Sequence, residues 1–168
     1  MAQAEASVDT ARRDVSIAEA EVHRIQAEVS KAKAELDYAF ARHDQARTDS
    51  AHRELEMQRA ALRVAEARLE VANEQRSLAQ HRVEVAHAGH RWADARYELE
   101  RAKLAASKGR MTIKDYPLRG YEDQADRAHR DLLDSRLATG EHQKAVEKAQ
   151  HVCDEREQAY QEHFGVRK

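Results

Sequence analysis

A chain of 168 residues with one Pro, five Gly, 36% charged and 5% aromatic side chains has the composition of long solvated helices, not of a thick apolar core. Its 29 Lys and Arg are interleaved with 31 Asp and Glu for a formal charge of −2, which leaves no basic face for phosphates and argues against a nucleic-acid partner. No apolar run approaches the roughly 18 residues that span a bilayer, the start lacks the charged-then-apolar pattern of an uncleaved export signal, and the single cysteine, Cys153, excludes an intramolecular disulfide.

Residues 2 to 47 read as a first helix with one apolar seam, Ala4, Val8, Ala11, Val15, Ala18, Val22, Ile25, Val29, Ala32, Leu36 and Ala39. Branched residues alternate with alanine, so an antiparallel partner can approach closely. The opposite face is charged, and this helix therefore expects one partner. At Arg47-Thr48-Asp49-Ser50 three residues that favour N-caps occur in a row and the seam lapses. Two arrangements follow. The chain folds back at 47 to 50, or it continues as one helix of about 107 residues that pairs with a second chain. The fold-back is the expected one, because a bare seam of such regularity would aggregate.

The second helix, 50 to 108, carries two ladders. One is Leu55, Leu62, Ala65, Leu69, Ala72, Ala79, Val83, Ala86, Ala93, Tyr97 and Leu104. The other, shifted by two residues, is Met57, Ala60, Val64, Ala67, Val71, Leu78, Val85, Ala88, Trp92, Ala95, Leu99, Ala102 and Ala106. Two residues turn a helix by about 200°, so this helix needs a partner on each side. Trp92 and Tyr97 fall on opposite ladders as core residues. Residues 109 to 120 hold the only Pro and two of the five Gly and read as an ordered loop, with Met111, Ile113, Tyr116 and Leu118 folded over the end of the helices. A third helix spans 121 to 164 on the seam Tyr121, Ala125, Ala128, Leu132, Val146, Ala149, Cys153 and Tyr160. Ser135, Thr139, Gly140 and His142 weaken its middle and predict a bend or 3₁₀ turn there. The fold class is all-α: an elongated antiparallel coiled coil of three helices with the middle one sandwiched. The alternative is the continuous helix plus a return helix, dimerising.

Chemistry is sparse. Ten histidines include His87-x-x-His90, a spacing that can share a metal, but no further ligand is assignable from another helix. His43, His81, His90, His142 and His163 fall on seams, where buried imidazoles would make the assembly acid-sensitive. Nothing in the order of Ser, Asp and His implies a triad, and no phosphate loop exists. The chain reads as non-enzymatic, without cofactor, metal or small-molecule substrate. Cys153 reads as a small core residue.

The stretch Tyr97 to Tyr116 resembles the tip of the α-hairpin in bacterial membrane-fusion (periplasmic adaptor) proteins, where an Arg, a Leu, and then a hydrophobic residue followed by Ser or Thr meet an outer-membrane channel. The counterparts are Arg101, Leu104, Met111 and Thr112, with Leu104 one residue early and Pro117 to Gly120 inserted. The expected partner-binding set is Arg101, Leu104, Met111, Thr112, Ile113, Tyr116 and Leu118. The expected function is a structural or interaction protein that binds a protein partner or itself, as a periplasmic or lipoprotein rod of the bacterial envelope presenting the 109 to 120 loop. Two alternatives stand beside it: a component of an export or secretion apparatus that docks through the tip, and a pH- or metal-responsive module built on histidines.

Overall fold

The structure, a computed structural model, describes residues 2–108 and 118–165. Three helices account for nearly all of them: α1 (Ala2–Ala41), α2 (Gln45–Ser107) and α3 (Leu118–Phe164), with no strand among the described residues. The all-α, three-helix reading holds, and the continuous 107-residue helix does not.

The fold-back sits earlier than the cap-rich Thr48-Asp49-Ser50 predicts. α1 ends at Ala41, six residues short of the expected boundary. His43 adopts φ 53°, and its N–H donates to the Phe40 carbonyl at 3.1 Å while the Asp44 N–H reaches back to the Ala39 carbonyl at 3.3 Å. This pairing of 5→2 and 6→1 bonds is a Schellman C-cap, built on histidine where glycine is usual. Asp44 then starts α2 as its N-cap. Its Oδ1 accepts the Arg47 N–H at 3.1 Å, and its carbonyl accepts the Thr48 N–H at 2.9 Å. One left-handed residue and one carboxylate make the turn without Gly or Pro. Thr48, Asp49 and Ser50 lie inside α2.

The chain divides into two compact units, Met1–Val8 with Ser77–Gln143 and Asp9–Arg76 with Lys144–Lys168. In the second of these, α2 is flanked on both sides. Toward α1, Ala65 packs on Val22 and Ile25, and Ala72 on Val15 and Ala18; rising numbers on α1 meet falling numbers on α2, so the pair is antiparallel. Toward α3, Ala67 and Val71 pack on Ala149 and Cys153. Ala65 and Ala67 stand two residues apart, face different helices, and are each 1% exposed. That is the two-ladder pattern realised. Arg68, next along α2, ties the three helices: its Nη1 lies 3.3 Å from Glu21 of α1 and its Nε 2.8 Å from Glu157 of α3. All three side chains are partly solvated, so this clasp adds about 1 kcal/mol or less.

In the other unit α2 and α3 are again antiparallel. Ala95 and Leu99 pack on Ala125, Tyr121 and Ala128. α3 begins at Leu118, three residues before the predicted Tyr121, so only residues 109–117 of the expected loop separate the helices, and these lie outside the described residues. Of the expected bend or 3₁₀ turn in its middle, the 3₁₀ turn is absent: residues 118–164 are helical throughout. The Ser135 hydroxyl donates to the Asp131 carbonyl and the Thr139 hydroxyl to the Ser135 carbonyl, each at 2.8 Å, so both polar side chains find partners within the helix.

Candidate interaction surface

Where α1 runs beside α2, the first ladder is covered: Leu55, Ala65, Ala72 and Ala79 are buried, and Leu62 and Leu69 pack half-buried against the α1 seam. The unit holding the end of α2 contains only Ala2–Val8 of α1 but Ser77–Ser107 of α2. Seven helical residues reach about 10 Å and thirty-one about 46 Å, so α1 covers only a small part of that length. The ladder continues past it uncovered. His90 and Ala93 are exposed, Tyr97 is 67% exposed and Leu104 55%. The second ladder over the same turns is covered by α3, with Ala88, Ala95, Leu99 and Ala102 buried. One helix thus carries a packed face and a bare apolar face over the same turns.

Of the predicted partner-binding residues, Arg101 and Leu104 stand three apart on α2 and share this bare face. Arg101 is exposed and pairs with Glu98 at 3.5 Å, and Lys103 pairs with Glu100 at 3.3 Å. Leu118 is the half-buried first residue of α3. Met111, Thr112, Ile113 and Tyr116 lie outside the described residues. Tyr97, expected in the core, is instead the most exposed large apolar residue of α2. Leu133 and Leu137 of α3 are exposed as well; their displacement from the α3 seam is the signal that marks them.

Trp92 lies half-buried at the edge of the α2–α3 contact. The His129 ring stacks on it at 5.3 Å and the Arg96 guanidinium sits 5.7 Å above it. The seam histidines are not buried. His43, His90 and His163 are exposed, and His81 and His142 are half-buried. Those two stack across α2 and α3 with centroids 4.2 Å apart, and His81 Nδ1 lies 2.7 Å from Glu84. Among the described residues no group of three or more His, Cys, Asp or Glu could hold a metal ion, and His87 and His90 are both exposed.

Cys153 is the core residue expected of it, 3% exposed. Burial pushes its thiol up from the ordinary value, and the neighbouring Glu157 carboxylate adds to the shift. A thiol so placed is a poor nucleophile. No helix among the described residues is long and apolar enough to cross a membrane. The chain matches no family model, and no curated protein or solved structure is similar to it.

Proposed function

We propose that this is a non-enzymatic interaction protein, and that the uncovered face of α2 formed by Ala93, Tyr97, Arg101 and Leu104 binds a helix of a protein partner. The observation that supports this is the change along one ladder: residues that α1 covers upstream are followed, in the same heptad phase, by residues of the same kind that stay exposed, with none of the described helices over them. An amphipathic helix laid along that face would make the contacts α1 makes earlier, with apolar anchors at helical spacing. Tyr97 and Arg101 are residue types enriched at interface hot spots. Arg101 and Leu104 sit side by side on the exposed face, which also favours a setting in the bacterial envelope or its export apparatus, because these are the two helical counterparts in the adaptor tips that 97–116 resembles.

A synthetic peptide copying Ala4–Ile25 tests the reading, since its seam already fits this ladder. Trp92, the only tryptophan, reports binding by fluorescence on the same stretch of α2. Saturable binding that is lost in Tyr97→Glu and Leu104→Glu, with helicity unchanged, is the expected result. No binding, or binding indifferent to both substitutions, would reject this surface.

A further inference from the structure

Arg68 shows how α2 meets a helix laid on its first ladder. It stands one residue before Leu69, at the border of that ladder, and its Nη1 lies 3.3 Å from Glu21 of α1. Each further step of seven residues keeps the same border position, and the row runs on as Gln75, Arg82, Gly89, Arg96 and Lys103. Beyond Gln75 it holds three cations and no acid. All three are exposed. Arg82 has no carboxylate to pair with on its own helix, since the residues three and four away are Leu78, Ala79, Val85 and Ala86. Arg96 lies 5.7 Å above the Trp92 ring, which holds its guanidinium on this border. Lys103 pairs with Glu100 at 3.3 Å, an exposed contact that a second carboxylate can share.

The stretch that α1 covers is bordered differently. Beside Leu55 to Leu69 the two border rows hold Glu54 and Glu66 together with Arg59 and Arg68, and their charges cancel. Beside Tyr97 and Leu104 one border is Arg96 and Lys103, while the other, Asp94 with Arg101 and Lys108, is mixed. A border of one sign asks for acid opposite it, whichever way the partner helix runs and in whatever register.

One flank of α1 has that character. Asp14 and Glu21 stand seven apart, and Glu21 is the residue that meets Arg68. From Arg68 to Arg96 is four heptads, and so is the step from Leu69 to Tyr97. A copy of α1 moved by that step along α2, still antiparallel, sets Glu21 against Arg96 and Asp14 against Lys103 at once. The Val15–Ala18 turn, which receives Leu69, then receives Tyr97. The other flank of α1 does not fit, because Arg12 and Glu19 meet Arg101 and Asp94 like against like.

We infer that the helix received by the Tyr97–Leu104 face carries Asp or Glu at heptad spacing along the flank that meets Arg96 and Lys103, as α1 sets Glu21 against Arg68. This rests on the reading of that face as a helix-binding surface and adds the partner's chemistry, an apolar seam with one acidic flank.

Three peptides copying Ala4–Ile25 test it by isothermal titration calorimetry on the full chain at low ionic strength. All three carry Arg12→Gln and Glu19→Gln, so that only one flank differs. The first keeps Asp14 and Glu21, the second has Asp14→Asn with Glu21→Gln, and the third Asp14→Lys with Glu21→Lys. Binding should weaken severalfold on neutralisation and by about tenfold or more on reversal, and added salt should narrow the differences. On a chain with Arg96→Glu and Lys103→Glu the order should invert, with the third peptide binding best; should circular dichroism show that this chain has lost helicity, the order on the wild-type chain decides alone. Equal binding of the three peptides, or an order that does not invert on a helical variant, would overturn the inference and leave the apolar face as a helix site. Binding of none would overturn it together with that reading. A face filled by a second copy, seen in light scattering as a dimer that Tyr97→Glu dissolves, would overturn it too.

Discussion

Leu99 and Leu104 lie five residues apart on α2 and are of one type, but the account assigns them opposite fates. Leu99 is 9% exposed and packs with Ala95, Ala125, Tyr121 and Ala128. Replacing a buried leucine by alanine costs about 2–5 kcal/mol, the transfer of the lost methyl groups plus the space left behind. Two of the four neighbours, Tyr121 and Ala128, are themselves only half-buried, so water can enter the space and the loss should fall near the lower end, about 2 kcal/mol. Leu104, more than half exposed, touches too little to lose and should change stability by less than about 0.5 kcal/mol. Urea denaturation followed by Trp92 fluorescence reads this unit directly, because Trp92 is in it. Equal losses for the two variants, or a loss at Leu104 as large as that at Leu99, would mean that the first ladder is covered at its end and would refute the reasoning.

Other substitutions test the turns and the helix interior. At the α1–α2 turn, His43→Gly should stabilise by about 1 kcal/mol by removing a side chain from a left-handed backbone, and Asp44→Ala should destabilise by about 1 kcal/mol through the lost N-cap; thermal melts check both signs. Gly140→Ala should add up to about 1 kcal/mol, because the glycine is inside α3 and an added methyl meets nothing within 4 Å; an unchanged urea midpoint would contradict it. For Cys153, a pKa raised in the folded chain means less thiolate than the unfolded chain holds at the same pH. Alkylation at mildly alkaline pH should therefore be much slower in the native protein than in urea, and stability should fall as pH rises past the unfolded thiol's value, since the unfolded chain gives up its proton first. Cys153→Ala should remove that part of the alkaline loss, as read by denaturation at two pH values.

Much of the helical architecture is legible in the sequence because heptad spacing maps directly onto faces. Ala65 and Ala67 read as members of opposed ladders, and each is buried against a different helix. What a ladder cannot tell is how long its partner is. Tyr97 and Leu104 keep the spacing of core residues, yet they are exposed because so little of α1 lies in their unit. The turn was displaced for a different reason. Thr48, Asp49 and Ser50 outnumber Asp44 as cap-favouring residues, but a fold-back also needs a chain that leaves the helix, and His43 supplies it by tolerating a left-handed conformation that histidine visits more readily than most residues. In the middle of α3 no 3₁₀ turn forms, and the Ser135 and Thr139 hydroxyls bond back to the preceding turn. Seam histidines signal a face but not a depth: on helices this thin, a seam position at an edge or end stays wet, as His90 and His163 do.

Hydroxyl-radical footprinting with residue-resolved mass spectrometry, on the chain alone and with the Ala4–Ile25 peptide, tests the central claim most directly. The account predicts that Tyr97 and Leu104 are oxidised in the free protein at rates near those of the unfolded chain while Leu99 is protected. Adding the peptide should protect Tyr97 and Leu104 and leave Leu99 unchanged. Protection of Tyr97 and Leu104 in the free protein, or no change on adding the peptide, would contradict the claim that the first ladder of α2 ends as a bare face that receives a helix.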